Sequence, residues 1–110
     1  MADKKRFGLR FMRSKDNLSL RLRGKLDGSS ACQMEHALDS LGDVPNHAKL
    51  TVDLSGVREF EYFGIVNFAK AIRGRRYRFL EISLSGLEAE AERLFKRFGL
   101  ANGKVKWFQL

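Results

Sequence analysis

Apolar and polar residues alternate with a period of two along five stretches of the chain, and repeat with helical spacing along three others. The central run begins at Lys49. Leu50, Val52 and Leu54 alternate with Thr51, Asp53 and Ser55, which predicts a strand with one apolar and one wet face. A break at Ser55-Gly56 and a short loop through Glu61-Tyr62-Phe63-Gly64 are expected next. The period then changes, and Ile65, Phe68, Ala69 and Ile72 fall on one face of a helix. A strand end, a loop and a helix N-terminus therefore meet at this junction.

The flanking stretches read in the same way. Phe7, Leu9 and Phe11 predict a first strand, Ser14 to Asn17 a turn, and Leu18, Leu20 and Leu22 a second strand, together a hairpin. Asp27-Gly28-Ser29-Ser30 opens a helix in which Ser30 and Gln33 have capping-box spacing. Ala31, Met34, Leu38 and Leu41 form its buried stripe, while Gln33, Glu35, His36 and Asp39 face out. Gly42 and Pro45 are expected to stop it. After the second helix, Phe79 to Leu84 predicts a strand with Leu80, Ile82 and Leu84 on one face. Ser85 and Glu88 repeat the capping spacing before a third helix carrying Leu87, Ala91, Leu94, Phe95 and Phe98, which Gly99 ends. Asn102-Gly103 turns into a last short strand with Val105 and Trp107.

The expected order is ββαβαβαβ: one α/β domain over residues 1–110, its first six residues frayed. Strands joined through helices favour parallel pairing, giving a mixed, mostly parallel sheet of about five strands. Because every strand alternates, the helices should cover one sheet face and leave the other partly exposed.

A chain of 110 residues, 44% hydrophobic and with nine Phe, suits one folded domain. No run approaches the roughly 20 apolar residues of a membrane span, and the N-terminal stretch lacks a signal-peptide centre. The single Cys32 excludes an internal disulfide, so a reducing, cytoplasmic setting is expected, with Cys32 as a small apolar neighbour of the core. The net charge of +8 admits nucleic acid, anionic lipid or an acidic protein as partners.

The chemistry of an enzyme is not visible. His36 and His47 have no Cys or carboxylate at metal-ligand spacing, and the glycines follow neither phosphate-binding pattern. Asp27, Asp53 and Glu61 are three carboxylates near strand ends, and a reading in which two of them cap turns and helix starts outweighs one as acid and base. No cofactor, metal or catalytic residue is expected. The Gly74-Arg75-Arg76-Tyr77-Arg78 stretch, with Arg73, could bind an anion; its simpler role is a solvated helix end whose cations complement the dipole.

Three segments, in order, resemble the STAS domain, the fold of bacterial anti-sigma factor antagonists and of sulfate-transporter tails. Leu22-Arg23-Gly24-Lys25-Leu26-Asp27 is similar to the family's G-x-L-D. Asp53-Leu54-Ser55-Gly56-Val57, followed by Phe60 and Gly64-Ile65, matches the central strand and its loop, and Leu94 to Leu100 the closing helix. The resemblance implies a non-enzymatic module that docks on a protein partner such as an anti-sigma factor. It also leaves open an accessory subunit of an ABC-type transport assembly, or a basic domain that binds nucleic acid or lipid.

The chain departs from phospho-switched antagonists at one place. Where they carry Asp-Ser-Ser/Thr-Gly, this sequence has Glu61, Tyr62, Phe63 and Gly64, so the hydroxyl that receives phosphate is missing and no phosphorylation is expected there. Arg58, Glu61, Tyr62, Phe63, Gly64 and Asn67 are the expected partner-binding residues. The sequence leaves two roles for Phe63 open: an interface ring, or packing under the second helix with only Tyr62 exposed.

Overall fold

The computed structural model describes residues 6–41 and 48–105. Strand β1 (Gly8–Ser14) and strand β2 (Asn17–Leu26) form the expected hairpin, each longer than its apolar pattern. Only Lys15 and Asp16 form the turn, with Lys15 in the left-handed region at φ 47°. Helix α1 (Gly28–Asp39), strand β3 (Lys49–Phe60), helix α2 (Tyr62–Gly74), strand β4 (Glu81–Ser85), helix α3 (Ala89–Lys96) and strand β5 (Gly103–Lys104) complete the order.

The sheet is mixed and ordered β1-β2-β3-β4-β5. β3 runs parallel to β2 and β4, while β1 and β5 pair antiparallel at the two edges. The crossover through α3 thus brings its strand back antiparallel, so parallel and antiparallel pairings are equal in number. Leu18, Leu20, Leu22, Leu50, Val52, Leu54, Ile82 and Leu84 point into one core with Met34, Phe68 and Phe95, whereas Ser19, Arg21, Thr51 and Ser55 are exposed on the opposite face. Helices cover one face, as the alternation implies.

Several local expectations are corrected. β3 does not break at Ser55-Gly56: it continues to Phe60, and two register shifts against β2 each accommodate an extra β3 residue. The alternation fades there because bulges reset the pleat, and Asp53 Oδ1 steadies the first by accepting the Ser55 N–H at 2.9 Å. The α1 cap is Asp27, whose Oδ1 accepts the Ser30 N–H at 2.9 Å. Ser30 is buried inside the first turn, donating its hydroxyl to the Lys25 carbonyl at 2.6 Å, so it does not pair with Gln33 as a capping box. Ser85 belongs to β4, and Glu88 caps α3 without a side-chain bond. The amide of Asn102 takes over that end, accepting the Leu87 N–H and donating to the Leu87 carbonyl.

Phe79 is buried and Leu80 is exposed, because a 3-10 turn at Arg76–Arg78 delays β4 to Glu81. Leu94 and Cys32 are both exposed, unlike the apolar roles expected of them. α3 ends at Lys96, and the turn that follows it closes at Gly99 with φ +78°, a conformation that costs a residue with a Cβ and suits glycine. The expected stop at Gly42 and Pro45, the strand position of Trp107, His47 and the start of the chain before Arg6 lie outside the described residues.

Candidate functional site

β3 ends at Phe60, and Glu61, in extended conformation, is the N-cap of α2. Its carboxylate does not cap the helix. It reaches back to Lys25 on β2, whose Nζ lies 2.9 Å from Glu61 Oε1 and 3.5 Å from Glu59 Oε2. The bond to Glu61, then the charges of both glutamates, hold the Lys25 ammonium above its ordinary pKa. The first-turn N–H groups of α2 thus receive no side-chain acceptor from their cap residue.

Gly64 fixes the position of this helix start. A Cβ on Gly64 would lie 2.3 Å from the Leu26 carbonyl oxygen, so only glycine lets α2 approach the end of β2 so closely. Gly64 and Ile65 are buried; the rings before them are not. Tyr62 is 60% exposed and Phe63 72%, so Phe63 does not pack under the helix. The two rings meet edge to face at 6.2 Å, and Tyr62 also meets Phe98, beyond the end of α3, at 5.8 Å. Asn67 is exposed one turn along α2, near Gly28 at the start of α1.

The structure thus gathers Glu61, Tyr62, Phe63 and Asn67 at one helix end, with Gly64 buried beneath as the packing element. Arg58 lies elsewhere, lining a groove with Arg10, Arg21 and Arg23 on the uncovered face of the sheet. Phe98 and Lys25 were not expected at the site. Phe98 fits the apolar stripe of α3 in the sequence, and no local pattern shows that Tyr62 will cover it. Lys25 is in the G-x-L-D segment, but its pairing with Glu61 depends on the β2–β3 register.

At the other end of α2, two of the arginines considered for an anion lie against carboxylates of α1. Arg75 is held by carboxylates of α1: Nη2 lies 2.8 Å from Asp39 Oδ2 and Nη1 3.2 Å from Glu35 Oε2. Arg78 Nη1 lies 3.6 Å from Asp39 Oδ1, and Arg76 donates to the Tyr77 hydroxyl at 2.7 Å. Two of the four cations therefore serve the α1–α2 contact. The hydrogen bonds from Arg75 hold the Asp39 carboxyl below its usual range. Among the described residues no group of three or more His, Cys, Asp or Glu is placed to hold a metal, and no helix is long and apolar enough to cross a membrane.

A family model described as "Mlab, STAS domain" matches residues 9–106. The chain belongs to this STAS-domain family. Solved structures share its fold. RsbS of Moorella thermoacetica superposes with a TM-score of 0.65 at 18% identity, over 84% of this chain and 78% of that one. The anti-sigma factor antagonist SpoIIAA in its unphosphorylated form gives 0.62 at 17%, covering 86% and 82%. An antisigma-factor antagonist STAS domain from Rhodobacter sphaeroides gives 0.58 at 22%, covering 73% and 86%. A search of curated protein sequences returns no match. At these identities the structural likeness establishes the fold, and fold and family together support a protein-interaction module in general.

Proposed function

We propose that this STAS protein is a cytoplasmic, non-enzymatic docking module that binds an anti-sigma factor or comparable regulator through the start of α2. Glu61, Tyr62, Phe63 and Asn67 form the contact, with Phe98 as support. The observation that carries this reading is the exposure of two adjacent aromatic rings, 60% and 72%, at a helix end held close to the sheet. Exposed rings cost solvation in the free protein, and Tyr and Phe are enriched at interface centres because they bury a large area at small entropic cost.

The segment from Arg58 to Phe68 contains no Ser or Thr, so docking here proceeds without a phosphoserine off-switch. A phosphate would add about −1.5 to −2 charge at the same helix end. A second reading keeps the surface and changes the partner to the ATPase subunit of an ABC-type transport assembly. It rests on membership of the STAS family, a fold that the sequence resemblance also links to accessory subunits of such assemblies.

The test is affinity for each partner, purified from the same cell, measured with wild-type protein and with Tyr62→Ala/Phe63→Ala. Hot-spot rings are worth about 2 kcal/mol or more, so the double variant should bind at least about 30-fold more weakly. Both side chains are largely in water, so its unfolding free energy should stay within about 0.5 kcal/mol of wild type. Unchanged affinity for a partner that binds wild type would remove this helix end as the contact.

A further inference from the structure

The molecule is a slab of 39 × 35 × 19 Å, and the sheet face opposite the helices is one of its broad surfaces. Charge is distributed unevenly over it. Toward β4 and β5 the cations have partners: Lys49 and Lys104 both reach Glu81, at 3.7 and 3.2 Å. Toward β1 and β2 they are answered only in part, Lys25 by Glu59 and Glu61 and Arg21 by Asp53. Arg10, Arg21, Arg23 and Arg58 line a groove of about 930 Å³, and the carboxylate that answers them is Asp53, 3.4 Å from Arg21. Among the described residues Arg10, Arg23 and Arg58 have no ion pair.

This arrangement has a cost that the fold does not recover. Arg10 and Arg21 stand directly opposite each other in the β1–β2 ladder, where like charges destabilise a pair. Arg23 faces Gly8 across the same ladder, and its guanidinium lies over the glycine: a Cβ on Gly8 would be 2.6 Å from Arg23 Nε. The missing side chain at Gly8 therefore gives the guanidinium its resting place. Guanidinium groups match phosphate oxygens with paired, charge-assisted hydrogen bonds, which an ammonium does not.

The groove is concave, and among the described residues no aromatic ring lines it, so a nucleobase would find no stacking platform there. A compact ligand can engage several cations within one such cavity, whereas a bilayer would spread across the whole face, including the neutralised β4–β5 half. We propose that this groove binds a compact polyphosphate group, a di- or triphosphate, held chiefly by Arg23 and Arg58 with Arg10 and Arg21 flanking.

Calorimetric titration of the full chain with sodium tripolyphosphate, at about 50 mM salt where screening is weak, tests it. Saturable one-to-one binding is expected, weakened about tenfold by Arg23→Gln or Arg58→Gln. Gly8→Ala leaves the net charge untouched but displaces the Arg23 guanidinium, and it should also weaken binding severalfold. Arg93→Gln, which removes the same charge from α3, should stay within about twofold of wild type. Equal losses in Arg93→Gln and Arg23→Gln, or wild-type binding in Gly8→Ala, would reduce the site to diffuse charge and overturn the proposal. So would retention of phosphatidylglycerol vesicles or single-stranded DNA without tripolyphosphate binding, which would make the face a membrane or nucleic-acid surface.

Discussion

The two ends of α2 are built on opposite terms. At its C-terminal end Arg75 is gripped by Asp39 and Glu35 of α1, donates to the Ala71 carbonyl, and is left with a side chain only 14% exposed. At its N-terminal end the cap carboxylate is drawn away to Lys25, and two rings stand in water. One end is satisfied within the molecule; the other is held in place but left unsatisfied at its surface. A helix end that is rigid beneath and open above is suited to bind a second chain, because little order remains to be imposed on binding.

Gly64 gives the largest expected effect on this contrast. Alanine is intrinsically better than glycine inside a helix by about 1 kcal/mol, so propensity alone predicts that Gly64→Ala stabilises. The clash that a Cβ at this position would make with the Leu26 carbonyl predicts the reverse, because a backbone oxygen in a strand cannot move aside as a side-chain tip can. We expect Gly64→Ala to lose about 2–3 kcal/mol in urea unfolding and to weaken partner binding by shifting the helix start. A variant as stable as wild type would mean that the N-terminal end is not rigidly seated.

Next in size is the double ring variant, which should separate binding from stability: a large loss of affinity with the unfolding midpoint unmoved. Arg75→Ala should do the opposite. It releases two carboxylates of α1 and the α2 C-terminus together, so it should lower the urea midpoint modestly while leaving partner affinity within about twofold of wild type. If Arg75→Ala weakened docking as strongly as the ring variant, the ends would be coupled and the contrast would fail.

How much of this was legible in the sequence follows from what sets each feature. Element order, the buried stripes of α1 and α2, and the single covered sheet face come from local periodicity, and periodicity is written in Leu18 to Leu22, Leu50 to Leu54 and Ile65 to Ile72. The run from Ser55 to Phe60 misled because a bulged strand loses its alternation while keeping its hydrogen bonds. Ser30 and Ser85 misled because capping spacing recurs by chance, and only the neighbouring strand end decides which residue caps. The helix end proposed as the contact was visible as a place, through its strand-to-helix switch and its departure from the family motif. Its members Phe98 and Lys25 were not, since both arrive through tertiary contact. The arginine groove was half visible: Arg21, Arg23 and Lys25 alternate along β2, but the approach of Arg10 and Arg58 needs the register.

The smallest effects lie in pH, where the two ends should respond at opposite limits. At the C-terminal end the Asp39 carboxyl is held below its ordinary value of 3.8 by Arg75, so the folded chain binds its proton less readily than the unfolded chain. Its contribution to stability is complete above that value and is lost as pH falls below it. Asp27, held down by the Ser30 N–H, and Asp53, held down by the Ser55 N–H, act in the same direction. At the N-terminal end Lys25 is raised above its ordinary 10.5 by Glu61, so its contribution is complete below that value and disappears as pH rises beyond it. Urea midpoints followed against pH should therefore be level near neutrality and fall at both extremes. Asp39→Asn should flatten part of the acid limb and leave the alkaline limb unchanged, and Lys25→Met the reverse. An acid limb that kept its full slope in Asp39→Asn would show that the Arg75 clamp does not hold the C-terminal end, and the difference between the two ends would rest on the aromatic rings alone.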